Sequence, residues 1–199
     1  ENLQRSNLEL TLAYDTILEG WANALELCQI EPHGHCRRVS DLSVQVMRNM
    51  RAGESELLNL QRGALLHDVG MMTIPDDILT KPGPLNRNEW NVIQQHPASA
   101  LEMLSPIAYL RSSLDIPYCH HEKWDGSGYP RGLKGDEIPL SARVFTLVDI
   151  WDQLHCDRPY HKAWPEDRIL AYIRSQTGIY FDPQVVESFF NLLDKQHRS

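Results

Sequence analysis

Residues 120–130 read His-His-Glu-Lys-Trp-Asp-Gly-Ser-Gly-Tyr-Pro, and no other stretch constrains this chain more. The adjacent histidines predict the end of a helix. Directly after them come Gly126, Gly128, Pro130, Gly132 and Gly135, which a helix does not tolerate together. On a regular helix His120 and His121 point about 100° apart, so both serve one site only where the helix ends and the backbone bends. Two further places carry similar chemistry. His67-Asp68 follows the apolar run Ala64-Leu65-Leu66, and Asp149 lies within Leu147-Val148-Asp149-Ile150-Trp151. An unpaired carboxylate in such surroundings is costly. Histidine and aspartate recurring beside apolar runs predict a metal cluster assembled from separate helices.

Between these points the apolar spacing is that of helices. One helix is expected to start at Pro32, with Val39, Leu42, Val46, Met47 and Met50 inward. A second covers residues 54–68, with Gly70 as its C-terminal stop. Pro75, Pro82, Gly83 and Pro84 make 73–85 mostly loop. Helix returns over 90–104, interrupted or re-entered at Pro97, and again over 110–121. After the loop at 124–136, helices follow over 139–155, 165–175 and 183–196, the last with Asp182 as N-cap. No alternation of period two and no internal repeat interrupts this pattern, so the fold class is all-α.

The N-terminal segment carries two interleaved heptad rows. Leu3, Leu10, Ile17 and Ala24 form one, and Asn7, Tyr14, Trp21 and Cys28 the other. A dimerising signal helix fits this spacing, and so does an amphipathic helix docked on its own core; the pattern leaves both open. The 199 residues suit one domain, with residues 1–20 as a linker or signal helix ahead of it. The net charge of −8 argues against binding DNA or RNA polymers or anionic membranes broadly. It does not exclude an anionic substrate, because bound cations reverse the sign locally. No apolar run reaches membrane-spanning length, so direct membrane insertion is not expected. A cytoplasmic location is expected, including as the cytoplasmic part of a longer sensor protein. Cys28, Cys36, Cys119 and Cys156 contain no C-x-x-C pair and read as reduced thiols; Cys36, Cys119 and Cys156, each beside a histidine, read as buried rather than ligating.

The candidate metal ligands are Glu31, His35, His67, Asp68, His96, His120, His121 and Asp149. Glu31 and His35 are four apart and share a helix face. Asp149 has an alternative as the ion-pair partner of Arg143. His33, His155, His161 and His197 read as surface or core histidines. Mixed imidazole and carboxylate donors suit iron, manganese, zinc or nickel rather than magnesium or calcium. Eight candidates exceed the four ligands of a closed structural zinc site and point to two or three ions. Clusters of this type activate water and polarise a phosphoryl oxygen.

With these motifs in order, the chain resembles the HD-GYP domain, a bacterial subgroup of the HD hydrolase superfamily. The resemblance runs from about Trp21 to Phe190. It rests on Glu31-Pro-His-Gly-His35 with Arg37-Arg38-Val39, then His67-Asp68-Val69-Gly70, Ile74-Pro75-Asp76, Lys81-Pro82-Gly83, Glu89-Trp90 and His96-Pro97. It continues through His120-His121-Glu122, Gly128-Tyr129-Pro130, Ile138-Pro139-Leu140, Val148-Asp149 and Arg158-Pro159-Tyr160. The resemblance implies an HD-type helical bundle over residues 21–199, with the Gly-Tyr-Pro motif on its long loop. It implies hydrolysis of cyclic di-GMP to linear pGpG and, in some members, on to GMP. By analogy His35, His67, Asp68 and Asp149 hold one metal, with Asp68 bridging, and His96, His120 and His121 hold a second. Glu31 fits members that bind a third ion. Iron or manganese is implied, with zinc or nickel also compatible. Asp68 and His67 would be catalytic; Tyr129, Arg158 and Lys162 would face substrate.

The chain departs from the family at Met71, where lysine is usual, and at His161, where a basic residue is common. Methionine supplies neither charge nor proton, so reduced activity is implied. This motivates an alternative reading, a cyclic di-GMP receptor or protein-interaction module, since the Gly-Tyr-Pro loop of the family is associated with GGDEF-type domains. A third reading is hydrolysis of another nucleotide, such as a hybrid cyclic dinucleotide.

Overall fold

A computed structural model describes residues 2–28, 32–157 and 162–197. Among these all regular elements are helices joined by turns and loops; the one β-bridge, Thr177 with Phe181, closes a turn. The helices are α1 (Asn2–Leu27), α2 (His35–Asn49), α3 (Glu54–Leu65), α4 (Asp76–Leu79) and α5 (Arg87–Ile93). They continue with α6 (His96–Leu104), α7 (Asp115–Cys119), α8 (Leu140–His155), α9 (Glu166–Ser175) and α10 (Pro183–Gln196). No described helix is long and apolar enough to cross a membrane.

α8 is apolar nearly all round, so it takes the centre. Val144, Phe145, Leu147 and Val148 are fully buried against Val39 and Val46 of α2, Leu57 and Leu60 of α3, and Ile169, Val185 and Phe189. A second cluster joins Leu18, Ala22 and Leu25 of α1 to Cys36, Leu66, Val69 and Ala100. Both clusters border the segments that carry the histidines, so the site lies between two packed bodies of side chains.

Several helix boundaries differ from the sequence expectation. α2 begins at His35 rather than Pro32, because Gly34 adopts a left-handed φ of 72° that a helix cannot contain. α3 ends at Leu65, three residues before the expected limit. Leu66 to Asp68 then turn, and Val69–Thr73 form a 3₁₀ segment. Gly70 is therefore not a helix stop. A Cβ there would stand 2.0 Å from the carbonyl oxygen of His96, so only glycine lets α6 approach. The interruption expected at Pro97 is present, since that residue at the head of α6 has no N–H to extend the ladder of α5; what differs is that α5 begins at Arg87 rather than Trp90. The 110–121 segment becomes a 3₁₀ stretch at Ala108–Ser113 and then α7 around Pro117. The 73–85 stretch contains the short α4. Asp182 caps α10 as expected, accepting from the Gln184 N–H at 2.8 Å. α1 runs unbroken from Asn2 to Leu27, so residue 20 lies inside one helix.

Candidate metal centre

Five segments deliver side chains to one buried volume. His35 opens α2; His67 and Asp68 occupy the turn after α3; His96 opens α6; His120 and His121 follow α7; Asp149 lies on α8. Asp68, His96, His120 and His121 form one group, and His35, His67 and Asp149 another. In each, one donor atom per residue lies within 4.8 Å of all the others. Asp68 stands between the groups. Its Oδ1 is 3.2 Å from His96 Nε2 and 3.3 Å from His120 Nε2, while Oδ2 is 3.8 Å from His67 Nε2. His35 Nε2 is 3.2 Å from Asp149 Oδ1.

Backbone and carboxylate acceptors set the histidine rings. His67 Nδ1 donates to the Ala64 carbonyl (2.9 Å), His96 Nδ1 to Ile93 (2.8 Å) and His120 Nδ1 to Ile116 (2.9 Å). His35 Nδ1 donates to Asp152 Oδ2 at 2.8 Å. Each acceptor only accepts, so each ring carries its proton on Nδ1 and directs Nε2 inward. Nε2 of His96 and of His120 then face each other at 3.3 Å. Two lone pairs at that distance repel unless a cation lies between them. Asp68 Oδ1 and Asp149 Oδ1 are buried without a hydrogen bond. Converging imidazole lone pairs and unsatisfied carboxylate oxygens make a donor set that fits divalent transition metals.

The local electrostatics follow from burial. Burial takes His67 down to about 4, outweighing the pull of Asp68. His121 falls well below its usual value through burial and the neighbouring His120 and His96. Burial works against charge on His96 as well, but Asp68 more than offsets it and raises that group. Burial opposes ionisation of Asp68, yet His67, His120 and His96 hold its carboxyl well below the usual range. The site thus favours neutral imidazole at His67 and His121 and ionised carboxylate at Asp68 and Asp149, the protonation states of metal ligands, while His96 is held toward its charged form by Asp68.

Asp149 does not pair with Arg143. That guanidinium donates to Asp182 (2.7 Å) and Asp136 (2.9 Å), while Asp149 Oδ2 accepts from Gln153 Nε2 at 2.7 Å. Tyr129 stacks on His121, with ring centroids 4.7 Å apart and planes 20° apart. Lys162 is surface-exposed and bonds Asp157 at 2.9 Å. Glu31, Arg158 and His161 lie outside the described residues. Cys36 and Cys119 are buried as expected and Cys156 partly so; Cys28 is exposed, and none of the four joins either donor group.

Sequence reasoning missed three supporting residues. Asp152, one helical turn beyond Asp149, receives His35 Nδ1 and both Nε and an Nη of Arg38 (2.7 and 2.9 Å). Arg38 sits one turn after His35 and reaches back across α8. Glu122 is buried, and its two oxygens accept from the Arg131 and Leu133 N–H groups (2.8 and 3.0 Å). That grip folds the Gly-rich loop over the site. Tyr129 N–H to His121 carbonyl (3.1 Å) and Trp124 N–H to Tyr180 carbonyl (3.1 Å) complete the anchoring. The available signal was a second acid on the apolar α8 and an acid placed directly after two histidines.

Known proteins similar to this chain include several named as cyclic-dinucleotide phosphodiesterases. The family described as HD domain matches residues 21–185. A 3'3'-cGAMP-specific phosphodiesterase of Vibrio cholerae is 38% identical over 168 residues, 83% of this chain and 32% of that protein. The cyclic di-GMP phosphodiesterase response regulator RpfG of Xanthomonas campestris is 38% identical over 169 residues, 84% of this chain and 45% of that protein. The chain thus spans less than half the length of these relatives. The crystal structure of a cyclic GMP-AMP specific phosphodiesterase of Vibrio cholerae superposes with a TM-score of 0.71 at 21% identity. That alignment covers 89% of this chain and 48% of the other, and shares the fold.

Proposed function

This chain belongs to the HD domain family, in its HD-GYP branch, and we propose that it hydrolyses a phosphodiester bond of cyclic di-GMP. The observation that carries the reading is Asp68, whose two oxygens face two separate groups of inward-directed histidines. In this reading His35, His67, Asp68 and Asp149 hold one ion, and Asp68, His96, His120 and His121 another. Iron or manganese ions, when bound there, supply Lewis acidity toward the phosphoryl oxygens. Asp68 fixes the separation of the two groups. Ala64, Ile93, Ile116 and Asp152 keep the imidazoles oriented without substrate. Tyr129, against His121, offers a flat ring at the mouth of the site for a base or ribose. Arg158 and Lys162 are proposed as phosphate partners on the resemblance alone.

The chain loaded anaerobically with Fe(II) or Mn(II) is expected to convert cyclic di-GMP to pGpG, followed by chromatography of the products. A His67→Ala, Asp68→Ala double variant is the control, and turnover no faster than that control rejects the reading.

Two observations favour specific variants of it. The relatives similar at 38% identity divide between cyclic di-GMP and 3'3'-cGAMP in their names. Competition between the two dinucleotides at equal concentration separates these substrates. Met71, in place of a usual lysine, favours a receptor that binds the dinucleotide without useful turnover. Saturable binding with no product would select that alternative.

A further inference from the structure

We propose that a second copy of this chain binds along α1, in parallel and in register, on a helix face that the domain leaves open. The helix presents two apolar rows. Leu18, Ala22 and Leu25 are buried in its own domain, and Asp15 accepts from Arg62 at 2.8 Å on the same side. The residue before each of these, namely Tyr14, Ile17, Trp21 and Ala24, lies 100° away around the helix. With Leu3 and Leu10 they continue an exposed heptad seam, in which Tyr14 also leans on Tyr109 of the domain, ring centroids 4.6 Å apart. Leu3, Leu10, Tyr14, Ile17 and Trp21 are between 42% and 75% exposed. The docking on its own core is thus made by a row outside the heptad seam, which leaves the seam itself for a partner.

Three features select a like helix as the occupant. The seam repeats every seven residues, the period at which two α-helices interlock, and a parallel pair in register sets each residue of the seam against its own copy. The charge pattern suits self-pairing. Arg5, Glu9, Asp15, Glu19 and Glu26, all the charged residues of α1, fall outside the seam and its two flanks. A chain of net charge −8 would repel itself along charged flanks, and these carry none. The area is also adequate. The five seam side chains with Ala24 and Leu27 offer on the order of 700 Å² per copy, close to the ~800 Å² per partner of a standard interface. Exposed Leu12 lies off this face.

The pairing does not depend on the proposed catalysis, but it bears on it. The docked row of α1 shares its cluster with Cys36, Leu66 and Val69, chain neighbours of His35, His67 and Asp68. A partner gripping α1 therefore holds a helix that packs directly behind the donor groups.

Sedimentation velocity of the 199-residue chain should give twice the 22.9 kDa monomer mass. A Leu10→Glu, Ile17→Glu variant should give 22.9 kDa with unchanged helical circular dichroism. Cys28 supplies a native probe of direction. It is exposed and continues the row of Tyr14 and Trp21, its N–H bonding the Ala24 carbonyl at 2.9 Å. In a parallel pair the two copies of Cys28 meet, so diamide should yield a disulfide-linked dimer that Cys28→Ser abolishes. A monomer at every attainable concentration overturns the proposal, as does a dimer unaffected by the two glutamates. A dimer that does not cross-link through Cys28 overturns the parallel register. Should the double variant fail to fold, the native mass and the Cys28 cross-link decide.

Discussion

Asp152 Oδ2 lies 2.8 Å from His35 Nδ1, while the opposite nitrogen of the same ring stands 3.2 Å from Asp149 Oδ1. One imidazole thus links two acids of α8, the first as its orienter and the second as its neighbour in the donor group. Burial pushes the Asp152 carboxyl up, but hydrogen bonds from His35 and Arg38 hold it well below the usual carboxylate range. It therefore stays charged and keeps the His35 proton on Nδ1. Removing such a carboxylate typically weakens metal binding about 10- to 100-fold. Asp152→Ala is expected to lower Mn(II) affinity by that factor in calorimetric titration, and Asp152→Asn, which retains an acceptor, by less. Equal affinities in all three proteins would show that His35 needs no such partner.

Acid should weaken the chelator-stripped protein. His67 has an ordinary imidazole value of 6.5 when unfolded and about 4 when folded. The folded state resists a proton that the unfolded state accepts. The resulting stability is complete above pH 6.5 and is lost as pH falls toward 4. For His67 alone the loss is at most on the order of 3 kcal/mol. His121, also lowered, acts in the same direction. His96 is raised, so its contribution is present below 6.5 and lost at higher pH, opposing the trend. Urea unfolding between pH 7 and pH 4.5 should show a net decline, and His67→Leu should flatten it. A midpoint independent of pH over that window contradicts the assignment of a neutral, buried His67.

Two glycines should respond oppositely to alanine. At Gly70 a methyl group would meet the His96 carbonyl oxygen at 2.0 Å and the Ala100 nitrogen at 2.8 Å, both backbone atoms of α6. Overpacking against backbone costs about 1–3 kcal/mol or more, and here relief requires moving His96. Gly70→Ala is expected to lower the unfolding free energy by at least about 2 kcal/mol and to reduce metal content. At Gly20, within α1, a methyl group meets nothing within 4 Å. Gly20→Ala should therefore stabilise by about 0.5–1 kcal/mol through helix propensity alone. Denaturant midpoints read both signs.

These residues show what was legible in the chain itself. The all-helical class, the Gly-rich loop and the residues that converge at the site were readable, because a histidine or acid inside an apolar run needs a partner wherever the run folds. Helix ends were less readable. Gly70 looks like a C-terminal stop in one dimension, but its constraint comes from the His96 carbonyl, and no local pattern encodes that approach. Asp152 and Arg38 were missed because their partners lie 117 and 114 positions away in the chain. An acid with a remote partner is indistinguishable by sequence from a solvated one. The two heptad rows of α1 were visible as spacing, but the row that docks on the domain, Asp15, Leu18, Ala22 and Leu25, belongs to neither; it is set by Arg62, Tyr109 and Leu66.

Met71 offers the most direct change to the proposed chemistry. It lies in the 3₁₀ segment Val69–Thr73, three residues after Asp68, where the family resemblance expects lysine. Met71 is half-buried and unbranched, so a lysine stem can occupy its path and bring the ammonium toward solvent or substrate. A positive charge stabilising a phosphate or departing oxygen commonly contributes on the order of a hundredfold in rate. Met71→Lys is therefore expected to raise kcat on cyclic di-GMP by about ten- to a hundredfold, with metal content and melting temperature unchanged. A fall in KM with kcat unchanged would mean that the lysine only strengthens ground-state binding. No change in either parameter would mean that this chain stabilises the same charge by other groups, and that Met71 is no defect.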